Sequence, residues 1–319
     1  MPDTTFLNWP FFTDEHRTFA RQLRTWAEET IPPIVETVHG TSHHSSETLD
    51  DTCRTLVKRL GEDGWLRYLV PKQYGGVLEA FDVRTLCLVR ETLASVSGLA
   101  DFVFAMQGLG SGPITLFGSE ALKQQYLPKL ATGAAISAFA ISEADAGSDV
   151  AAMTTTARKE GDAYVIDGEK TWISNAGIAD YYVVICRLET GNNAAPEAKK
   201  QYIAFVVDTN TPGLQISNRF DVIAPHPIGT LTFSNCRVRE DFVLGAPGQG
   251  LKVALATLDV FRTTVGAAAL GFARRAFDES LAHVTKRQAF GQPLSDFQLT
   301  RARLASMATE IDASALLIY

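Results

Sequence analysis

Two short segments carry the side chains best suited to chemistry. The first, Phe139 to Val150, reads FAISEADAGSDV, and the second, Lys170 to Gly177, reads KTWISNAG. The first closes in a tight Ala146-Gly147-Ser148-Asp149 turn, which can aim backbone N–H groups and the Ser148 hydroxyl at an anion. The same composition also makes an ordinary turn. The second segment offers an exposed-type aromatic, Trp172, and a hydroxyl, Ser174, on the same side of a strand. An aromatic face beside hydroxyl donors suits a planar heteroaromatic ligand. Two glycine-rich stretches compete for attention, Gly108 to Gly112 (GLGSG) and Gly245 to Gly250 (GAPGQG). A dinucleotide turn needs a strand before it and a helix after it to receive the pyrophosphate. No strand precedes GLGSG and Pro113 follows it, while GAPGQG reads as a connector.

The elements that must position these segments follow from periodicity. A first helix begins after Thr13, a capping hydroxyl, with Asp14 and Glu15 in its first turn and Phe19, Leu23 and Trp26 on one face. Pro32 and Pro33 cannot donate to a helical ladder and predict its end. Further helices are predicted over 47–64, with Leu49, Cys53, Leu56 and Leu60 inward, and through Val83, Leu86, Val89 and Leu93. Two more are predicted near 102–117 and from a Ser119 cap to Leu130. Helix after helix with short joints suggests a bundle.

From Ile136 the pattern changes to short alternating runs: ISAFAIS, AAMTTTAR, AYVI, KTWIS, DYYVVICRL, QYIAFVV, GLQIS and GTLTFSNCRV. Asp167-Gly168, between AYVI and KTWIS, is a hairpin signal. No helix-length segment separates the runs, which argues against a crossover-connected parallel sheet and for an antiparallel barrel or sandwich. Helices resume at Leu251, with Leu251, Leu255, Leu258, Phe261 and Val265 on one stripe. Leu304, Met307, Ile311 and Ile318 form another. The expected fold class is α+β, with a helical domain over 1–134, an antiparallel β-barrel over 135–244 and a C-terminal helical bundle over 245–319. That last region ends at Tyr319 inside an apolar stripe and therefore reads as incomplete.

Bulk properties narrow the functional classes. A chain of 319 residues holds about two domains at roughly 150 residues each. Hydrophobic and charged fractions of 46% and 20% are ordinary for a globular protein. A net charge of -7 argues against broad contact with nucleic acid or anionic lipid. Cys53, Cys87, Cys186 and Cys236 show no metal-ligand spacing and read as buried, reduced thiols of a cytoplasmic protein. His43 and His44 sit in a Ser/Thr-rich stretch that reads as a solvated loop rather than a metal site. No signal peptide is visible at the N-terminus, and no stretch approaches the ~20 apolar residues of a membrane span.

FAISEADAGSDV followed by GEKTWISNAG resembles the paired motifs of the acyl-CoA dehydrogenase family. Arg287-Gln-Ala-Phe290-Gly-Gln-Pro-Leu294, with Gln298 beyond it, resembles that family's R-x-x-F-G motif. Three motifs stand in the right order with matching helix, barrel and helix regions around them, and the resemblance covers essentially the whole chain. The resemblance implies FAD as cofactor, an acyl-CoA thioester as substrate, an electron-transferring flavoprotein as acceptor, and a tetramer built as a dimer of dimers. Residue by residue, it places Phe139, Ile141 and Ser142 against the isoalloxazine ring, with Ser142 near its pyrimidine edge. It places Gly147 and Ser148 at the pyrophosphate and CoA moiety, Trp172 against the flavin, and Ser174 at N5. Arg287 and Phe290 would reach the adenosine diphosphate part of FAD in a neighbouring subunit.

The implied reaction is α,β-dehydrogenation, in which a carboxylate takes the α-proton while the β-hydrogen passes as hydride to the flavin. Hydrogen bonds to the thioester oxygen would stabilise the developing enolate, and burial would raise the carboxylate's pKa toward that of its target. Most family members draw this base from a late Glu, expected here beyond Tyr319. Others draw it from a position that matches Phe261, which cannot accept a proton. Arg262 resembles the arginine beside the catalytic carboxylate and Asp259 a residue near CoA; both also suit a helix-surface ion pair or cap. Two other readings are a non-catalytic flavin- or acyl-CoA-binding relative and an oxidase or flavin monooxygenase on the same scaffold.

Overall fold

The computed structural model describes residues 3–39, 46–189 and 200–319; the His43–His44 pair lies outside the described residues. Among the described residues, five α-helices precede the sheet: α1 (Asp14–His39), α2 (Ser46–Glu62), α3 (Val83–Val96), α4 (Gly98–Phe117) and α5 (Glu120–Ala131). Eight strands follow: β1 (Ser137–Ala140), β2 (Thr156–Glu160), β3 (Ala163–Ser174), β4 (Tyr181–Leu188), β5 (Gln201–Asp208), β6 (Leu214–Arg219), β7 (Ile228–Arg239) and β8 (Val243–Leu244). The chain closes with α6 (Gly250–Lys286), a small hairpin of β9 (Gln288–Ala289) and β10 (Gln292–Pro293), and α7 (Gln298–Ile318).

The chain divides into two compact units. One comprises Met1–Glu36, Asp82–Asp101 and Arg262–Tyr319, and the other Thr37–Phe81 and Phe102–Phe261. The second unit contains the sheet. Its strands run in the order β6-β7-β3-β2-β4-β5-β8, with β1 pairing to β4 off that path. The sheet is open, with β6 and β8 at its ends, and not the closed antiparallel barrel expected from the sequence. It is also mixed, because β1 and β2 both pair parallel with β4. Parallel pairing needs a return path, and here β3, antiparallel to β2, supplies that path without a helix.

The Asp167-Gly168 hairpin does not form. AYVI and KTWIS are one continuous strand, β3, and the register against β7 shifts at Ile166/Gly168. Gly168 takes a φ of +137°, and the Asp167 carboxylate accepts from the Asn235 N–H at 2.7 Å. These residues therefore make a bulge, an alternative use of a glycine that tolerates unusual backbone angles. The tight turn lies earlier, where Gly161-Asp162 joins Glu160 to Ala163 and Gly161 takes a φ of +64°.

In the first unit, α1 begins as expected, with the His16 N–H donating to the Thr13 hydroxyl at 3.4 Å. It does not stop at the prolines, which lie inside the helix. Leu23, Ala27, Ile31 and Val35 form an uninterrupted buried stripe. Glu28, Glu29, Pro32 and Pro33 are all exposed, so the carbonyls that lose their donors can be hydrated. Ser119 caps α5 in the second unit, accepting from the Leu122 N–H at 3.3 Å.

The expected stripe on α6 is only partly right. Phe261 is buried, but Leu255 and Val265 are exposed; the inward residues include Val253, Ala254, Thr257, Thr264, Ala267, Ala268 and Leu270. Small residues on the inner face let neighbouring backbone approach. A Cβ on Gly271 would lie 2.2 Å from the Glu91 carbonyl oxygen. One helix among the described residues, α6, passes a length-and-composition test for crossing a bilayer, a test that the core helix of a globular protein also passes. Its inner face is nevertheless packed in this fold.

Candidate functional site

The paired segments meet in the second unit. After β1 the chain turns sharply: the Glu143 N–H donates to the Ala146 carbonyl at 3.1 Å, and the Ala146 N–H returns to the Glu143 carbonyl at 3.2 Å. Beside this turn the Thr171 N–H of β3 donates to the Ser142 carbonyl at 3.0 Å. Ser142, just past β1, therefore lies beside the Thr171–Trp172 stretch of β3. Phe139, Ile141 and Ser142 are half-buried.

A buried ion pair fastens the two segments. The Lys170 ammonium, fully buried, reaches the Glu143 carboxylate at 2.8 Å and the Ile141 carbonyl at 3.1 Å, with the Met153 sulfur at 3.8 Å. The same carboxylate accepts from the Thr154 N–H at 2.6 Å, the Thr154 hydroxyl at 2.7 Å and the Thr155 N–H at 3.0 Å. Burial alone would raise the Glu143 pKa, but the Lys170 hydrogen bond and the threonine donors outweigh it and hold the carboxyl down at about 2. Glu143 is thus a committed structural anion.

Trp172 takes a φ of +60° at a point where the β3–β7 register shifts between Lys170 and Ile173. For a bulky residue this left-handed conformation is strained, and such strain persists where the surroundings impose it. The bulge leaves the indole 54% exposed, while Thr171 and Ile173 are buried. Phe220 stacks on the indole with centroids 4.4 Å apart and planes at 29°. Ser174 is half-buried at the end of the strand. Asn175 then ties the strand end to β1, donating to the Ser137 carbonyl at 2.8 Å.

Gly147 and Ser148 lie exposed in the turn, and a Cβ built on Gly147 meets nothing within 4 Å. The glycine at 147 is thus not required by crowding within the chain. The GLGSG stretch lies inside α4. A Cβ on Gly108 would sit 2.5 Å, and one on Gly112 2.9 Å, from the Phe261 ring. Those glycines form a notch for Phe261, which also meets Phe81 edge to face at 5.7 Å. Phe261 is thus a buried aromatic contact. Asp259 and Arg262 are exposed on the same helix.

In the other unit, Arg287 is exposed and its carbonyl accepts from the Leu294 N–H at 2.8 Å. Phe290 and Gly291 form the two-residue turn between β9 and β10, with φ of +51° and +80°. Both positive angles match a type I′ turn, which favours Asn-Gly and penalises a bulky first residue. Phe290 is 98% exposed, touching Phe297 edge to face at 6.3 Å.

Sequence reasoning missed Lys170 and Phe220. A lysine inside an apolar strand, paired with Glu143 at 27 residues' separation, gave only a weak signal. Phe220 follows β6 in a stretch without periodicity and gave none.

An open sheet, preceded and followed by helices in the chain, holds these two segments side by side. Family models match in the same order: the acyl-CoA dehydrogenase N-terminal domain over 13–134, its middle domain over 138–236 and its C-terminal domain over 248–319. The chain is 35% identical over 308 residues to the probable acyl-CoA dehydrogenase FadE25 of Mycobacterium tuberculosis, spanning 96% of this chain and 75% of that protein. Among solved structures, one describing the electron transferring flavoprotein of Acidaminococcus fermentans aligns with a TM-score of 0.85 at 30% identity, covering 98% of this chain and 79% of the other. A glutaryl-CoA dehydrogenase from Mycobacterium smegmatis in complex with FADH2 aligns with a TM-score of 0.82 at 27% identity, covering 99% and 76%. The chain belongs to the acyl-CoA dehydrogenase family, oxidoreductases that act on CH–CH groups.

Proposed function

We propose that this chain binds FAD in the cradle formed by the turn after β1 and the bulge of β3, and dehydrogenates an acyl-CoA thioester between Cα and Cβ. The observation that carries this reading is the junction of Ser142 and Thr171. It sets a strained, outward indole beside a segment whose Ser142 N–H and hydroxyl donate to no protein group among the described residues. A flat apolar face next to spare donors fits an isoalloxazine ring.

FAD, when bound, supplies the acceptor for the hydrogen that leaves the β-carbon. The chain's own part is to bind and orient. Phe139, Ile141, Ser142, Trp172 and Ser174 would hold the ring, and Gly147 and Ser148 the pyrophosphate and CoA. Family resemblance alone supports Asp259 and Arg262 as substrate contacts, and Arg287 and Phe290 as residues reaching FAD in a neighbouring subunit of a dimer of dimers. In this reading residues 1–134, 135–244 and 245–319 act as the helical, sheet and C-terminal helical parts of a cytoplasmic enzyme of fatty acid metabolism. An electron-transferring flavoprotein is the proposed acceptor, in line with the Acidaminococcus fermentans structure. Neither Phe261 nor the ion-paired Glu143 serves as the α-proton acceptor.

A second reading is a relative that binds flavin and acyl-CoA without turnover. Anaerobic addition of acyl-CoA to the FAD-loaded protein separates the two. Bleaching of the flavin absorbance is expected for the dehydrogenase; persistent yellow colour with tight acyl-CoA binding would replace it with the binding reading. Fast reoxidation by oxygen would point instead to an oxidase.

A further inference from the structure

We propose that Lys170 is a positioning residue for the flavin edge. Its buried ammonium holds the Ile141 carbonyl and the Glu143 carboxylate, and so fixes the peptide of Ser142 with its N–H and hydroxyl available to the cofactor. This rests on the FAD reading above.

The argument begins with cost. Burying a charged pair is expensive, and well-packed apolar residues of similar volume often do as well or better for stability. A fully buried lysine inside β3 therefore calls for a reason other than stability. The hydrogen bonds around it supply one. Three successive carbonyls, those of Ile141, Ser142 and Glu143, each accept an internal bond, from Lys170, the Thr171 N–H and the Ala146 N–H respectively. Two of those donors come from adjacent residues of β3. Lys170 makes a further bond to the Glu143 side chain, and that carboxylate is held on its other side by Thr154 and Thr155. Thr155 in turn donates its hydroxyl to the Glu169 carbonyl at 2.9 Å, one residue before Lys170.

The result is a closed ring of bonds running from 141–143 through 154–155 to 169–171. The donors left over on the first segment, the N–H and hydroxyl of Ser142, are the ones a ligand can use. A point charge with a long stem reaches both a backbone carbonyl and a carboxylate, which a neutral side chain of the same length does not. The same bulge that follows Lys170 sets Trp172. One residue thereby connects the donor edge to the aromatic face.

The test uses the full chain in three forms: wild type, Lys170→Met/Glu143→Gln and Thr154→Val. The double variant removes both charges together, so no unpaired ion is buried, and the exposed Thr154 is replaced by a side chain of the same shape. Apoprotein melting temperature, the FAD dissociation constant and the visible flavin spectrum are measured for each. The double variant is expected to melt close to wild type, yet to bind FAD on the order of tenfold more weakly and with a shifted flavin band. Thr154→Val is expected to weaken FAD binding about two- to fivefold with little change in melting. If either folded variant binds FAD with the wild-type constant and spectrum, the positioning role is overturned while the FAD reading stands. If wild type itself takes up no FAD, the underlying reading falls, and the role of Lys170 with it.

Discussion

Replacing Phe290 by glycine is expected to stabilise the protein while weakening its hold on FAD. Phe290 sits at a φ of +51° and is 98% exposed, so its side chain contributes little burial that glycine would lose. A left-handed conformation costs an L-residue roughly 1–2 kcal/mol. Glycine removes that cost but adds about 0.4–1 kcal/mol of unfolded-chain entropy. The net expectation is a gain of about 0.7 kcal/mol, or roughly 1 °C in melting temperature. Phe290→Ala is the control: both variants lose the Phe297 contact, but alanine keeps the backbone strain. Differential scanning of the two apoproteins side by side isolates the backbone contribution. The glycine variant should melt above the alanine variant, and FAD titration should find both weaker than wild type. A glycine variant that melts at or below the alanine variant refutes the claim of strain at this turn. An unchanged FAD affinity in both variants refutes the proposed contact of the Phe290 ring with the cofactor.

Acid should act through Glu143. Its folded pKa of about 2 lies below the ordinary 4.5, so its contribution is fully present above pH 4.5 and is lost as pH falls toward 2. Denaturant unfolding should lose stability across that window, on the order of 1–2 kcal/mol once solvent screening is allowed for, and Lys170→Met/Glu143→Gln should lose correspondingly less; parallel curves would show that the pair does not set acid stability. At the glycine notch, Gly108→Ala places a Cβ 2.5 Å from the Phe261 ring and should destabilise by about 1–3 kcal/mol. In a Phe261→Ala background the same change should turn stabilising, since only the helix-propensity gain of ~1 kcal/mol remains. A double-mutant cycle with no coupling would disprove the notch.

The sequence made some of this legible because local chemistry decided it. The Thr13 and Ser119 caps needed only their own turns, and the succession of helices, strands and helices followed from periodicity. The two motif segments stood out because glycines, hydroxyls and a tryptophan are unusual in such short stretches. Misreadings came where distant packing overruled local preference. Pro32 and Pro33 stay helical because a buried stripe on the opposite face carries α1 past them. Asp167-Gly168 bends into a bulge because β7 continues alongside both halves of β3. The parallel pairings of β4 depend on partners 30 or more residues away along the chain. The strain at Trp172 and Phe290 is invisible in composition, since each is an ordinary aromatic until its backbone angle is known.

The pairing of β1 with β4 has a bearing on how the chain is made. Ser137 finds its partner in Tyr181, and the intervening stretch must be synthesised before β1 has anything to align with. Until then Ala138, Phe139 and Ala140 present an apolar strand edge to other nascent chains. Expression at lower temperature, or with chaperones that shield such an edge, should therefore raise the soluble yield more than stabilising the finished fold does.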